Sequence, residues 1–259
     1  MNGPTPQESH GRAAEATLRG VVALSALTAA WQAWHQPSTV NGVLFMELGQ
    51  PEELARLVDR GAALLLALAG AAVGLRGSRL AALLIAFWLL ALAIAKTVGG
   101  GTAFSHLAVP AQAVRFAAPV CLVLLASSAP RGAELLLRLA AAATFAVHGW
   151  EALQHAPPFV DLVILSARNH LDLRIGEDTT RVLLTAIGWA DLAVAAAVLL
   201  RRWRWAAAYM AIWGALTLTS RMTAHGHELW PEAAIRVANA GVPLALFLLW
   251  GKHSRTSGT

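Results

Sequence analysis

The sequence contains few charged residues: Asp, Glu, Lys and Arg make up 14% of its 259 positions. Soluble domains carry about 25%, whereas 57% of this chain is hydrophobic. The hydrophobic residues form runs near the length of ~20 residues that a helix needs to cross a bilayer. Because no long polar stretch remains for a soluble domain, the composition predicts an all-α, polytopic protein embedded in a lipid bilayer.

The sequence also lacks a second cysteine, since Cys121 carries its single thiol. A thiol–disulfide relay needs a pair of thiols, so disulfide chemistry within this chain alone is excluded. Cys121 lies in an apolar run, where we expect it to be a small core residue. A glycine-rich nucleotide-binding motif is missing as well, because Gly99, Gly100 and Gly101 only join two predicted membrane helices.

Eight hydrophobic stretches are predicted to form transmembrane helices. They cover residues 18–36, 56–75, 79–97, 108–127, 133–155, 180–200, 203–222 and 232–250. With both termini in the cytoplasm, the cytoplasmic side holds more than half of the Lys and Arg residues but only Glu8, Glu15 and Glu134 among the acids. Lys and Arg resist translocation, so this asymmetry predicts cytoplasmic termini. It also accounts for the basic charge without a nucleic-acid partner.

The two halves of the chain align as a tandem repeat. The matched pairs are Arg19 with Arg138, Trp31 with Trp150, Arg60 with Arg181, Trp88 with Trp213, Lys96 with Arg221, His106 with His227, Pro110 with Pro231, and Arg115 with Arg236. Four helices per repeat make the two repeats parallel. We therefore predict a cytoplasmic tail at 1–17, four-helix repeats at 18–129 and 130–251, and a cytoplasmic tail at 252–259. The outer loops, at 37–54 and 156–179, are expected to hold short amphipathic or irregular structure.

A polar pattern recurs where the third helix of each repeat reaches the outer face. A basic residue closes that helix, and His-x-x-x-Pro-x-x-x-x-Arg follows. The residues are Lys96, His106 and Arg115 in the first half and Arg221, His227 and Arg236 in the second. Cations beside a partially positive helix N-terminus suit a carboxylate, a sulfur oxyanion, a phosphate headgroup or a quinone carbonyl. The alternative interpretation is that these residues only anchor helices at the interface or pack there.

A second polar cluster lies on one face of the fifth predicted helix, where His148, Glu151 and His155 are spaced three and four residues apart. Gln32 occupies the matched position of Glu151 in the first half, so the His148–Glu151 pair is specific to the second. His148 and Glu151 could transfer a proton at the site, with Glu151 paired to Arg221 or Arg236. Neutralisation of the nearby arginines by Glu151 is the structural alternative.

Asp191 is a carboxylate near the middle of the sixth predicted helix, matched by Gly70 in the first half. In the membrane we expect it to be protonated, hydrogen-bonded or facing a polar cavity. It could serve proton or cation passage, or form a hydrogen bond to a Ser or Thr of the seventh helix. His225 and His227 resemble a metal-binding fragment, but zinc and copper need three or four convergent ligands. We predict no metal site.

Residues 137–150 and 157–159 resemble the opening helix and the following loop of DoxX-like membrane proteins. The similarity consists of Arg138 at the helix entrance, Gly149 near its outer end and a proline-containing loop, and Ser220-Arg221 is similar to the end of the third helix. In the first half Ala30 replaces the glycine. The resemblance implies a duplicated four-helix unit in a bacterial cytoplasmic (inner) membrane, in a quinone-linked redox system with partner proteins. A quinone is the cofactor that it implies.

Three functions remain open from the sequence. The first is a DoxX-like membrane component that binds a quinone, a lipid headgroup or a small anion near its outer face. The second-half residues would form that site, and the first-half residues its pseudo-symmetric copy. The second is an accessory subunit of a larger membrane complex. The third is a small-solute transporter with Asp191 as the coupling carboxylate. The sequence does not decide whether the chain is an enzyme.

Overall fold

The structure is a computed structural model that describes residues 6–127 and 129–251, with side chains from residue 10 onward. Within these residues the secondary structure is helical and contains no strand, which confirms the predicted all-α class. The predicted tail at 252–259 lies outside the described residues. Most of the predicted tail at 1–17 is instead the beginning of the first helix, which starts at Pro6.

Twelve α-helices follow one another along the described chain. The first half contains α1 (Pro6–His35), α2 (Thr39–Gly42), α3 (Glu52–Arg76), α4 (Arg79–Gly99), α5 (Ala108–Ala111) and α6 (Ala113–Ala126). The second half contains α7 (Pro130–Leu153), α8 (Pro157–Leu171), α9 (Glu177–Leu200), α10 (Arg204–His225), α11 (Trp230–Ala234) and α12 (Ala238–Trp250). A π-helical turn at Val43–Glu47 and 3₁₀ turns at Ser105–Leu107 and His227–Leu229 complete the described elements.

Among the described residues, five segments are long and apolar enough to cross a membrane. They are His10–His35, Glu52–Arg76, Arg79–Gly99, Ser105–Ala126 and Glu177–Leu200. A sixth results if His227–Ala234 and Ala238–Trp250, which meet at 47°, form one span. These segments fit a helical membrane protein. The helices α7 and α10 coincide with two further predicted spans, but their charged and polar residues keep them out of this group.

Helix ends follow local sequence signals. The hairpin between α3 and α4 turns on Gly77, whose φ of 64° lies in the left-handed region that glycine tolerates. Ser78 then caps α4, because its hydroxyl accepts a hydrogen bond from the Ala81 N–H at 3.3 Å. Pro130 opens α7 and Pro157 opens α8, at the one helical turn where a missing N–H costs little.

The predicted helix at 108–127 is broken into two helices. Its N-terminal part is the short helix α5, and the rest is α6. Gln112 separates α5 from α6 with φ of −108° and ψ of 10°. The hydroxyl of Thr144 on α7 lies at this break: it donates to the Pro110 carbonyl and accepts from the Val114 N–H, both at 3.3 Å. A side chain inserted between the N–H and the carbonyl of a helical pair bends a helix at that point.

The predicted helix at 232–250 is broken in the corresponding place. Between α11 and α12 the backbone forms three-residue turns, with the Asn239 N–H donating to the Arg236 carbonyl at 2.8 Å and the Ala240 N–H to the Val237 carbonyl at 3.2 Å. The continuous helices that we predicted here are therefore wrong in detail. Both breaks come a few residues after a proline of the repeated pattern.

Two matched arginines, Arg19 and Arg138, lie at the end of the bundle where α3 and α9 terminate. Arg138 donates to the carbonyls of Val198 and Leu199 at 3.1 and 2.5 Å. Arg19 lies at the matching end of α3, where its guanidinium is 3.0 Å from the position that a Cβ on Gly77 would take. The last carbonyls of a helix carry partial negative charge, so Arg138 stabilises the C-terminus of α9, whereas the Arg19 guanidinium donates to Glu15 Oε1 at 2.9 Å.

Small residues allow the helices to approach closely. A Cβ on Gly188 of α9 would lie 2.7 Å from the Gly149 carbonyl oxygen of α7, and a Cβ on Gly149 would lie 2.9 Å from the Gly188 carbonyl oxygen. A Cβ on Gly214 of α10 would lie 2.4 Å from the carbonyl oxygen of Asn239 near the start of α12. Such crossings through small side chains are the usual packing mode of membrane helices.

Candidate functional site

A cavity of about 490 Å³ opens at the end of the bundle where α1, α4, α7 and α10 terminate. Residues from both halves of the chain line it, including the segments around the two helix breaks. Its lining includes the polar residues Gln36, Thr39 and Thr102. The volume falls within the range of ~300 to 1,000 Å³ that is typical of small-molecule sites.

The structure brings six of the predicted site residues to this cavity: Lys96, Arg115, His148, Glu151, Arg221 and Arg236. We predicted a second-half site with a separate first-half copy. The structure instead has a single cavity lined by both sets of residues.

His106 and His227 do not line the cavity. His106 lies in the turn Ser105–Leu107, with its ring centroid 6.4 Å from that of Phe104. His227 is exposed at the start of the turn His227–Leu229. The His-x-x-x-Pro-x-x-x-x-Arg pattern therefore contributes its arginines to the cavity but not its histidines.

Arg221 and Arg236 share one carboxylate, Glu232. Their Nη1 atoms lie 3.7 and 3.8 Å from Glu232 Oε2, which is close enough for ion pairing but too long for good hydrogen bonds. Arg236 also donates to the backbone carbonyl of Glu232. The side chains of the two arginines are only 21% and 23% exposed, so water screens them incompletely.

Arg115 and Lys96 have no carboxylate within ion-pairing distance among the described residues. Arg115 Nη1 donates to the side-chain oxygen of Gln112 at 3.0 Å, which is a neutral partner. Lys96 is exposed at the end of α4. The cavity thus presents four cationic side chains but only two carboxylates, those of Glu151 and Glu232.

His148 and Glu151 form a pair in the cavity wall, with His148 Nδ1 2.9 Å from Glu151 Oε2. The His148 ring also lies 6.1 Å from the ring of Phe159 on α8. His155, which we grouped with them, contacts Thr185 Oγ1 through Nε2 at 2.9 Å and does not line the cavity. The predicted three-residue face is therefore a two-residue pair that can exchange a proton internally.

Three buried nitrogens in the cavity lining have no hydrogen-bond partner among the described residues: Trp88 Nε1, Arg115 Nε and Arg221 Nε. All three are donors, and no buried side-chain acceptor of the described lining is without a partner. Buried polar groups are normally satisfied. A ligand that supplied acceptors only would complete this set.

The two helix breaks add partial positive charge to the same region. Arg115 lies in the first turn of α6, and Arg236 lies two residues before α12. The first N–H groups of α6 and α12 already have acceptors, such as Thr144 Oγ1 for Val114 and the Arg236 carbonyl for Asn239, but the N-terminal end of a helix dipole still attracts anions. In membrane proteins, broken helices of this kind place such ends near bound anionic groups.

Several lining residues escaped the sequence analysis as site residues. Glu232 precedes Arg236 by one helical turn, and Gln112 precedes Arg115 by slightly less, so helical spacing could have indicated both. The alignment identified Trp88 as a repeated tryptophan but not as a residue of the site. Its position two turns before Lys96 on α4 could have indicated that both residues face the same cavity.

Asp191 lies away from the cavity and is 4% exposed. Its carboxylate interacts with the side chain of Trp213 on α10, whereas Oδ1 has no hydrogen-bond partner in the described part of the chain. The seventh predicted helix does supply its partner, but as a tryptophan and not as the Ser or Thr that we expected.

Chemically, the cavity can hold an acceptor-rich anion next to a histidine–carboxylate pair. Among the described residues, no group of three or more His, Cys, Asp or Glu side chains could hold a metal ion. The arrangement thus offers charge and hydrogen-bond donors for binding, and one titratable pair beside them. No protein-family model, curated protein or solved structure matches this chain.

Proposed function

We propose that the chain is an integral membrane protein that binds an oxyanion in the cavity between its two halves. The observation that carries this proposal is the charge imbalance of the cavity lining, in which four cationic side chains face two carboxylates. The three unpartnered N–H donors favour a ligand rich in acceptors. Carboxylate, phosphate and sulfur oxyanions share this chemistry.

The proposal includes two parallel repeats of four transmembrane helices each. Matching helix contacts support it: α1 packs on α3 as α7 packs on α9, and α4 packs on α6 as α10 packs on α12. The halves also exchange contacts, because α1 packs on α12 and α7 on α6. The matching positions of Arg19 and Arg138 at the ends of α3 and α9 and the two helix breaks support the same assignment.

Eight spans require α7 and α10 to cross the membrane despite their polar residues. The cavity offers a physical reason: His148 and Glu151 of α7 and Arg221 of α10 line it, so these groups need not face lipid. Ionisable residues in membrane helices usually face a polar interior. In the proposed topology the cavity opens outward and both termini are cytoplasmic, in a bacterial inner membrane.

The DoxX-like identity, the quinone and the partner subunits remain predictions from the sequence. The surplus of positive charge favours an anion over a neutral quinone carbonyl as the ligand. The transporter hypothesis depended on a polar path through Asp191. Because Asp191 does not line the cavity, the oxyanion-binding hypothesis has the stronger support.

The test uses the full-length protein in nanodiscs made of zwitterionic lipid. Inorganic phosphate, sulfate and acetate are titrated at constant ionic strength, with affinity measured by calorimetry and stabilisation by thermal unfolding. Arg236→Gln and Arg115→Gln are expected to weaken binding at least about tenfold, because charge-assisted hydrogen bonds contribute ~1.5 to 3 kcal/mol. Nanodiscs that contain phosphatidylglycerol show whether a lipid headgroup competes for the cavity.

The matched control is Arg181→Gln, which removes one positive charge from the start of α9. Arg181 is exposed and pairs with Glu177 at 2.6 Å, and it does not line the cavity. The affinity of the Arg181→Gln protein for phosphate should equal that of the wild type. Equal affinities in Arg236→Gln and wild type would contradict the proposal.

A further inference from the structure

Trp88 and Trp213, which the sequence alignment pairs, have different hydrogen-bonding states. The Trp213 side chain interacts with the buried carboxylate of Asp191. The first half has Gly70 at the position matched to Asp191, and Trp88 Nε1 is buried without a partner among the described residues. Trp88 lines the cavity, whereas Trp213 does not.

An indole N–H that is buried usually finds an acceptor. Trp88 stands eight residues before Lys96 on the same helix, which corresponds to about 12 Å along the axis. Trp88 therefore lies deeper along α4 than Lys96, and its N–H, which is buried, becomes available to a ligand only when a neighbouring side chain moves. A ligand group that reached Trp88 would need an acceptor atom there.

The cavity is also too large for an inorganic ion alone. Its volume of about 490 Å³ corresponds to roughly 16 water molecules at ~30 Å³ each. Much of the lining is apolar and includes Leu92, Phe104, Phe159 and Ile235. An inorganic ion would leave these walls in contact with water, whereas an organic body would cover them.

We infer that the ligand is an organic oxyanion whose apolar body carries a second acceptor, and that the indole N–H of Trp88 donates to this acceptor. This inference rests on the proposed oxyanion site. The cations bind the charged head, and the aromatic and aliphatic walls contact the body. The neutral donor selects ligands that bear an oxygen at the far end of the body.

The experiment compares acetylbenzoates with isopropylbenzoates in zwitterionic nanodiscs that hold the full-length protein. The ortho, meta and para isomers of each are used, together with inorganic phosphate. The acetyl and isopropyl groups have similar shapes, but only the acetyl group accepts a hydrogen bond. At least one acetylbenzoate should bind about 3- to 10-fold more tightly than its isopropyl counterpart, as expected for one neutral hydrogen bond. It should also bind more tightly than phosphate.

Trp88→Phe should abolish the difference between the two compounds. Trp213→Phe is the matched control and should preserve it, although it removes the donor from Asp191 and lowers thermal stability. With 5-fluorotryptophan labelling, the ¹⁹F resonance that disappears in Trp88→Phe should shift when the tight-binding acetylbenzoate is added. This resonance is read in the wild-type protein and does not depend on how well the variant folds.

The failures of the two proposals are distinguishable. If phosphate binds in an Arg236-dependent manner, but no acetylbenzoate exceeds its isopropyl counterpart or Trp88→Phe preserves the difference, the inference about Trp88 is wrong and the oxyanion site stands. If the benzoates bind no more tightly than phosphate, the ligand is not organic. If neither phosphate nor any benzoate binds, both proposals are wrong.

Discussion

Thr144 Oγ1 lies 3.3 Å from the backbone nitrogen of Val114, which is thirty positions away in the sequence, and accepts its hydrogen bond. The same hydroxyl donates to the Pro110 carbonyl, the acceptor that Val114 would use in a continuous helix. One buried hydroxyl on α7 thus supports the break between α5 and α6. Arg115, the residue after Val114, is held in the cavity wall by this break.

We expect Thr144→Val to lower both stability and anion affinity. The substitution leaves the Val114 N–H and the Pro110 carbonyl without their buried partner, which costs about 1 to 3 kcal/mol of unfolding free energy. A shift of the break would also move Arg115. Thermal unfolding measures the first effect, and phosphate calorimetry measures the second.

Thr28→Val makes the same change at another buried threonine. The Thr28 side chain is 2% exposed, and its hydroxyl has no partner among the described residues. Because only an unsatisfied hydroxyl is removed, Thr28→Val should be neutral or stabilising. An equal loss of stability in both variants would show that the two hydrogen bonds of Thr144 do not stabilise the helix break.

Glu232→Gln should strengthen anion binding. Glu232 neutralises part of the charge of both Arg221 and Arg236 from 3.7 and 3.8 Å. Its removal raises the positive potential of the cavity, and even one unit charge several ångströms away changes a binding energy by about 1 kcal/mol or more at an intermediate dielectric. Phosphate affinity should rise about fivefold or more in calorimetry at low salt.

Glu228→Gln serves as the control, because Glu228 is exposed and does not line the cavity. The increase in affinity for Glu232→Gln should shrink as salt is added, since mobile ions screen the site. A decrease in phosphate affinity would mean that Glu232 holds the arginines in position more than it competes with the ligand.

Gly188→Ala should destabilise the protein, because its new Cβ would lie 2.7 Å from the Gly149 carbonyl oxygen. Forcing α7 and α9 apart is expected to cost about 1 to 3 kcal/mol of unfolding free energy. Gly61→Ala, on the related helix α3, meets no atom within 4 Å. It should be neutral or stabilising by up to ~1 kcal/mol. Thermal unfolding of the two variants gives the comparison, and similar melting temperatures would contradict the close crossing.

The all-α class and the apolar spans could be predicted because their signals are local and repeat over many residues. The four cations of the cavity could be predicted as candidates because charge is rare in such a sequence. The helix breaks could not, because Thr144 acts on Val114 from a helix thirty residues away, and nothing local marks Gln112 as a breaker. The merging of two predicted sites into one cavity depends on how the halves pack. Sequence alignment carries no information on that packing.

Asp191 provides the test that separates a structural carboxylate from a functional one. Its carboxylate interacts with the Trp213 side chain, and its Oδ1 has no described hydrogen-bond partner. Asp191→Asn keeps an acceptor for Trp213 and removes the possibility of charge, so stability and phosphate affinity should both stay near wild type. Asp191→Leu leaves the buried indole N–H unpaired, which costs about 1 to 3 kcal/mol, and its melting temperature should fall. A coupling carboxylate would behave in the opposite way: Asp191→Asn would alter the pH dependence of anion binding or movement while the fold stayed intact. That result would support the transport hypothesis and show that the charge state of Asp191 is coupled to anion binding in the cavity.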